Sequence, residues 1–315
     1  MRWRKFLVLI LLIFIGISSS IYLILGVPFL KGRCIRVPVL LSQFPDKPLI
    51  KIKIENQKYT MLIDTGCSWP VVLQERVLQT LKNKELVGSV TSIDVKGNSY
   101  ILPRFKIQSI DLSSLRIQEP IVIQESINFI TTGSELWPTT PISARKEREL
   151  KFIDGTVGLK ILKNYHCLID FPHSTLLLAE NREALQKEMG YSLEGFLPIS
   201  FDLEKCGIVI SMETDLGIQR FWLDTGATRS IINKDLVDLG KAKEVETGKW
   251  LYTSRKLSAA EHDFGRWEFV LCNITSHLKN IDGVLGFDFF NKYPIYFDFQ
   301  EKKAYVLRGC LQSQR

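Results

Sequence analysis

The chain has 315 residues, 45% apolar and 24% charged. That fits one large domain or two lobes with ample core, and it disfavours both wholesale disorder and a multispan membrane protein. The net charge of +7 does not mark a nucleic-acid surface: residues 1–45 carry Arg2, Arg4, Lys5, Lys31, Arg33 and Arg36 and no acid, which leaves the remainder close to neutral.

An uncharged apolar stretch comes first, from Phe6 to Leu30. As a helix its roughly 25 residues would reach about 37 Å, enough to cross a ~30 Å hydrocarbon core with some tilt. A cleaved leader is the rival reading, with a basic start, the apolar run Phe6–Ile17 and the small residues Ser18-Ser19-Ser20. Cutting there would leave Ile21–Val27 as an exposed apolar tail, so residues 1–30 are read as a retained single-pass anchor. Basic residues flank both of its ends, so charge bias alone does not orient it. The body is expected outside the cytoplasm, as is usual for an N-terminal single span. Residues 31–46 are read as a juxtamembrane connector.

Short strands with turns follow. Leu49–Ile54 alternates with period two, Asn56-Gln57 reads as a turn, and Tyr59–Ile63 as the returning strand. Gln74–Leu86 is a helix candidate. Val90–Val95 and Ser99–Leu102 form a candidate hairpin around Lys96-Gly97-Asn98, and further strands fit Phe105–Ile110, Leu115–Ile117 and Pro120–Gln124. Residues 180–195, helical over Arg182–Met189, read as an interlobe linker. Gly207–Met212 and Ile218–Leu223 are strands around Asp215-Leu216-Gly217, Lys234–Leu239 is a short helix, and extended stretches lie near Trp250–Thr253 and Trp267–Leu271. The pattern is all-β with minor helix.

The two halves repeat. Asp-Thr-Gly occurs at Asp64-Thr65-Gly66 and at Asp224-Thr225-Gly226, each time closing an apolar run. Each copy has a second signature downstream, Ile153-Asp154-Gly155-Thr156-Val157-Gly158 and Ile281-Asp282-Gly283-Val284-Leu285-Gly286. Residues 153–171 align without a gap on 281–299, and identities include Asp154/Asp282, Gly158/Gly286, Tyr165/Tyr293 and Phe171/Phe299. The extra length of the first half is placed around Phe129–Leu150. The lobes are therefore drawn at 47–179 and 196–315.

An aspartate at the end of a buried strand is held rigidly, and the glycine after it lets backbone amides approach the carboxylate. Two such carboxylates roughly 3 Å apart share one proton, leaving one member a base and the other an acid. A water held between them can then attack a peptide carbonyl. One Asp-Thr-Gly is weak evidence, arising by chance in a few per cent of chains of this length, by about 315 trials at roughly 1 in 8000. Two copies after apolar strands, each with the second signature, are far more specific.

On these motifs the sequence resembles the aspartic proteases, in particular the retropepsin-like group, with two units in one chain over roughly residues 47–309. The resemblance implies two small β-barrel-like lobes about a pseudo-two-fold axis and an extended polypeptide substrate between them. It implies catalytic roles for Asp64 and Asp224, interlocking Thr65 and Thr225, loop glycines Gly66 and Gly226, and supporting glycines Gly158 and Gly286. Asp154 and Asp282 are read as structural. With both half-sites in one chain, a monomer acting as a pseudo-dimer is expected, needing no metal or cofactor.

Two departures stand out. Pepsin-like members place Ser or Thr directly after Asp-Thr-Gly; here Cys67 and Ala227 stand there, and neither brings a good donor. Losing that donor should raise the first ionisation of the pair and move the activity optimum toward mildly acidic or neutral pH. The second departure is the covering hairpin: Val95–Tyr100 is the candidate in the first half, with an ordinary surface turn as the alternative, and none is assigned in the second. Trp69 is read as a core side chain, with the cleft border as its alternative. The six cysteines (Cys34, Cys67, Cys167, Cys206, Cys272, Cys310) show no metal-ligand spacing. They remain open between disulfides and scattered small apolar residues. A non-catalytic, membrane-tethered peptide- or partner-binding protein on the same fold is the alternative function.

Overall fold

A computed structural model describes residues 33–42, 46–93, 99–125, 152–189, 192–193, 196–205, 207–274, 278 and 280–307. The expected anchor at 1–30, the hairpin tip at 94–98 and the extra segment at 129–150 lie outside the described residues. Among the described residues, no helix is long and apolar enough to cross a membrane.

The N-terminal half contains β1 (Cys34–Pro38), β2 (Leu49–Ile54), β3 (Gln57–Asp64), β4 (Val71–Gln74), β5 (Lys84–Ile93), β6 (Ser99–Ile107), β7 (Ser109–Leu112), β8 (Leu115–Gln118), β9 (Ile121–Glu125), β10 (Gly155–Gly158), β11 (His166–Asp170) and β12 (Thr175–Ala179). The C-terminal half contains β13 (Phe196–Leu203), β14 (Ile208–Thr214), β15 (Gly217–Leu223), β16 (Ile231–Asn233), β17 (Ala242–Glu246), β18 (Lys249–Ala259), β19 (His262–Cys272), β20 (Gly283–Leu285), β21 (Ile295–Asp298) and β22 (Lys303–Leu307). Helices are few and short, among them α1 (Glu75–Thr80), α2 (Leu159–Leu162), α3 (Arg182–Met189) and α4 (Phe287–Phe290). The fold is all-β and bilobal, with a barrel-like sheet in each lobe.

The first lobe is the sheet β5-β6-β9-β4-β10-β3-β2-β7-β8. Its leading hairpin follows directly from sequence. The alternation of Leu49–Ile54 buries Ile50, Ile52 and Ile54 and exposes Lys51. The turn falls on Glu55-Asn56, one residue earlier than expected, and both residues have positive φ (46° and 68°), as a tight two-residue hairpin requires. The candidate helix Gln74–Leu86 is cut to α1, because Lys84–Leu86 already pairs with β6.

The second lobe is the run β13-β14-β15-β20-β16-β19-β18-β17, drawn together by an added β14–β18 pairing. Strand pairing matches between the lobes. In the first, β10 runs parallel to β3 and antiparallel to β4, and β4 runs parallel to β9. In the second, β20 runs parallel to β15 and antiparallel to β16, and β16 runs parallel to β19. This correspondence makes β17–β18 the counterpart of the β5–β6 hairpin, the element that sequence reading left unassigned.

Five further pairings in the order β1-β12-β11-β21-β22-β13 tie the lobes together. The central one joins β11 to β21, with Cys167 opposite Phe297 and Ile169 opposite Ile295. Phe171, after β11, packs on Phe287 of the other lobe with ring centres 5.6 Å apart. The stretch 31–46, expected to be a connector, is corrected here. Its residues Cys34–Pro38 form β1, an edge strand of the joining sheet that pairs with β12 and buries Ile35 and Val37. Two prolines and a short alternation hid a strand whose partner lies about 140 residues on. Helix α3 covers the outer face of this sheet with Leu185 and Met189.

Candidate active site

Both Asp-Thr-Gly loops leave their strands at the same point, β3 into Asp64 and β15 into Asp224, and each is backed by the strand carrying the second signature. Gly158 is the register partner of Asp64 on β10, and the amide of Asp224 donates to the carbonyl of Leu285 on β20 at 3.0 Å.

The threonines join the loops. The amide of Thr65 donates to Thr225 Oγ1 and the amide of Thr225 donates to Thr65 Oγ1, both at 3.0 Å. Thr65 Oγ1 donates to the carbonyl of Leu223 and Thr225 Oγ1 to that of Ile63, both at 2.8 Å. Each bond has its counterpart, and both threonines are buried, at 1% and 0% exposure.

This ring sets the two carboxylates against each other. Asp64 Oδ1 accepts from the amides of Gly66 (2.8 Å) and Cys67 (3.0 Å). Asp224 Oδ1 accepts from those of Gly226 (2.8 Å) and Ala227 (3.3 Å). The two carboxyl groups lie close enough that a proton on one would be shared with the other. The glycines report how close the loops are: a Cβ on Gly66 would stand 2.5 Å from Asp224 Cγ, and one on Gly226 would stand 2.6 Å from Asp64 Cγ. A larger residue at either position would have to displace the opposite carboxylate.

Both carboxylates keep partial access to solvent, yet protein closely surrounds them. That enclosure is the first cause holding both above the ordinary aspartate range, and for Asp64 the charge of Asp224 comes next. The backbone amides pull the other way. The pair therefore retains a proton at pH values where an isolated aspartate has lost its own.

The supporting residues surround this centre. A Cβ on Gly158 would meet the Trp69 carbonyl at 2.1 Å, and one on Gly286 would meet that of Ala227 at 2.6 Å. The residues that follow donate to the loops, Leu159 N to Cys67 O at 2.8 Å and Phe287 N to Ala227 O at 2.6 Å. Asp154 and Asp282 lie apart from the centre, where Asp154 Oδ2 accepts from Thr60 N at 2.7 Å and Asp282 Oδ2 from Arg220 N at 2.8 Å. Arg76 braces Asp154 through an ion pair of 2.7 Å.

At the two departures, the amides of Cys67 and Ala227 reach the carboxylates but their side chains offer no hydroxyl. The Cys67 thiol points to the Trp69 carbonyl at 4.0 Å. Trp69 itself is half-buried. Cys34, Cys67 and Cys167 are free thiols.

One brace was missed. Ser230 Oγ donates to Asp288 Oδ1 at 2.7 Å and accepts from Gly286 N at 3.2 Å, pinning the second signature behind the loop. Half of its signal was available: Asp288 is an acid set into the apolar run Phe287–Phe290, whereas Ser230 follows the polar Thr228-Arg229 and carries no local mark.

No family model matches the chain, and no curated protein matches it by sequence. Solved structures do. An aspartic proteinase from Irpex lacteus superposes with a TM-score of 0.60 at 12% identity, covering 89% of this chain and 98% of that one. Basic 7S globulin from soybean gives 0.58 at 7% identity, covering 89% and 96%. The chain thus has the aspartic-proteinase-like fold. At these identities the likeness concerns the fold alone, and one of these neighbours is named for a proteinase while the other is named for a globulin.

Proposed function

We propose that the chain is an aspartic endopeptidase of the retropepsin-like kind, acting as a single-chain pseudo-dimer. The observation that carries this reading is the reciprocal threonine ring that sets Asp64 and Asp224 face to face, each within 2.6 Å of where a Cβ on the opposite loop's glycine would stand. In the reaction, the ionised member of the pair takes a proton from a water between the carboxylates. The water oxygen attacks the peptide carbonyl, and the protonated member gives its proton to the carbonyl oxygen. Proton transfer to the leaving nitrogen then lets the C–N bond break. Alanine at 227 favours the retropepsin-like group. The substrate is an extended polypeptide lying between the lobes.

The apolar, basic-flanked residues 1–30 serve in this reading as a single-pass anchor, with the body on the extracytoplasmic side. Since β1 begins at Cys34, an anchor ending near residue 30 holds the edge of the joining sheet at the bilayer surface.

Cleavage of a peptide library by wild type and by Asp64→Asn between pH 3 and 8 tests the reading. Loss of cleavage in the variant supports it. A folded wild type that cleaves nothing supports instead a membrane-tethered peptide- or partner-binding protein on the same fold.

A further inference from the structure

Gln74 and Glu125 belong to none of the interactions holding the aspartates. They are register partners at the ends of the parallel strands β4 and β9, so their backbones lie about 4.8 Å apart. By strand alternation they share a face with Val72 and Ile123, opposite to the core-facing Val71 and Leu73. They are 2% and 6% exposed.

Both carry unused polar capacity. Gln74 Oε1 accepts from Arg76 Nε at 2.8 Å, but its buried Nε2 has no partner. The Glu125 carboxyl has no cation beside it among the described residues. Arg104 on β6, the register partner of Ile123, forms no ion pair with it among them. Burial alone pushes the Glu125 carboxyl up to about 8, so it is mostly neutral at pH 7. Gln74 sits toward Asp154, whose carbonyl accepts from its amide at 2.9 Å, while Glu125 lies within electrostatic reach of the loop of the first aspartate. The Cys67 thiol is raised chiefly by burial and by Asp64, and Glu125 is among the smaller causes.

The second lobe lacks this feature. Its matching register pair is Asn233 and Cys272. Asn233 Oδ1 caps the amide of Asp235 at 3.3 Å, and Cys272 packs among Val209, Trp222 and Val270. Buried polar groups are normally satisfied, and one left over is costly.

We propose that Gln74 and Glu125 form a side-chain subsite of the first lobe that takes an uncharged group with both donor and acceptor, the carboxamide of glutamine or asparagine in a bound polypeptide. This rests on the peptidase reading. The carboxamide oxygen accepts from Gln74 Nε2 while its NH2 donates to a Glu125 oxygen. A neutral Glu125 offers little to an ammonium group, and an apolar side chain leaves both partners unpaired.

The test uses matched peptides in which each of three positions on either side of the cleaved bond carries Gln, Met or Lys in turn. Wild type should favour Gln over Met at one position by roughly ten- to thirty-fold in kcat/KM, the effect of two hydrogen bonds. Glu125→Met exchanges an unpartnered carboxyl, and Gln74→Met an unpartnered amide nitrogen at the loss of one bond from Arg76, for an apolar side chain of similar size, so both should fold, and both should bring the preference within about twofold. No Gln preference in wild type, or a preference surviving in both variants, overturns the subsite. Calorimetric titration of the same peptides into Asp64→Asn separates this from catalysis. Gln-dependent binding that Gln74→Met abolishes upholds the subsite even where wild type cleaves nothing, an outcome that sinks only the peptidase reading. Absence of Gln-dependent binding overturns the subsite.

Discussion

Thr65 and Thr225 hold each other: the amide of each donates to the hydroxyl of the other at 3.0 Å, and each hydroxyl donates onward to the carbonyl before the opposite aspartate. The carboxylates meet because these backbones are locked in pairs. The acid side chains follow from the loops and do not themselves hold the lobes together.

Thr65→Val should therefore be strongly destabilising. It keeps the shape but strands the buried amide of Thr225 and the carbonyl of Leu223, at a cost of about 3 kcal/mol. Thr225→Val should match it, and Thr65→Ser should recover most of the loss. Urea denaturation midpoints measure all three. A loss under about 1 kcal/mol for both valine variants would show that the ring does not hold the loops.

Gly66→Ala and Gly226→Ala should lose activity more than stability. The added carbon must push aside the opposite carboxylate, whose Cγ would lie 2.5 or 2.6 Å away, and a displaced dyad cannot share its proton. A displacement of about 1 Å costs on the order of 100-fold in rate. Peptide cleavage set beside melting temperature reads the two effects apart. Wild-type rates in both variants would contradict the packed geometry.

Glu125 makes stability depend on pH. Its carboxyl is raised from about 4.5 in the unfolded chain to about 8 in the folded one, so the folded state holds the proton more tightly. That contribution is fully present below pH 4.5 and is lost as pH rises through 8, by on the order of 5 kcal/mol. Glu125→Gln should flatten the curve across this window and be the more stable protein at pH 8.5. Parallel curves for wild type and variant would reject the argument.

The amides at Cys67 and Ala227 are the donors that these positions bring to the carboxylates. Without hydroxyls to stabilise the shared anion, the rate should peak at mildly acidic to neutral pH. Ala227→Ser should shift the acidic limb down by roughly one unit, and Cys67→Ser likewise. A wild-type optimum far below pH 4 would rule this out.

Local features were legible in the sequence. The alternation of Leu49–Ile54 and the apolar run before Asp64 appear as β2 and β3, and α3 spans Arg182–Met189 as read, because side-chain periodicity alone decides those elements. What could not be read is pairing at a distance. β1 finds its partner only through β12, and the short 3₁₀ turns Lys234–Leu236 and Leu239–Lys241 stand where one helix was expected, since the caps Asn233 and Asp238 each close a separate turn. At the site, spacing pointed to the aspartates, threonines and glycines. Asp288 stands out within Phe287–Phe290, but its partner Ser230, 58 residues away, and the register that sets Gln74 opposite Glu125 are contacts that no local pattern carries.

The most direct measurement is inhibition by a peptide carrying a statine-type hydroxyl in place of the cleaved bond, which binds tightly only where two carboxylates flank one oxygen. The account predicts that it blocks peptide cleavage by wild type, with affinity lost in both Asp64→Asn and Asp224→Asn. Cleavage that continues at saturating inhibitor, or that survives loss of either aspartate, would contradict it.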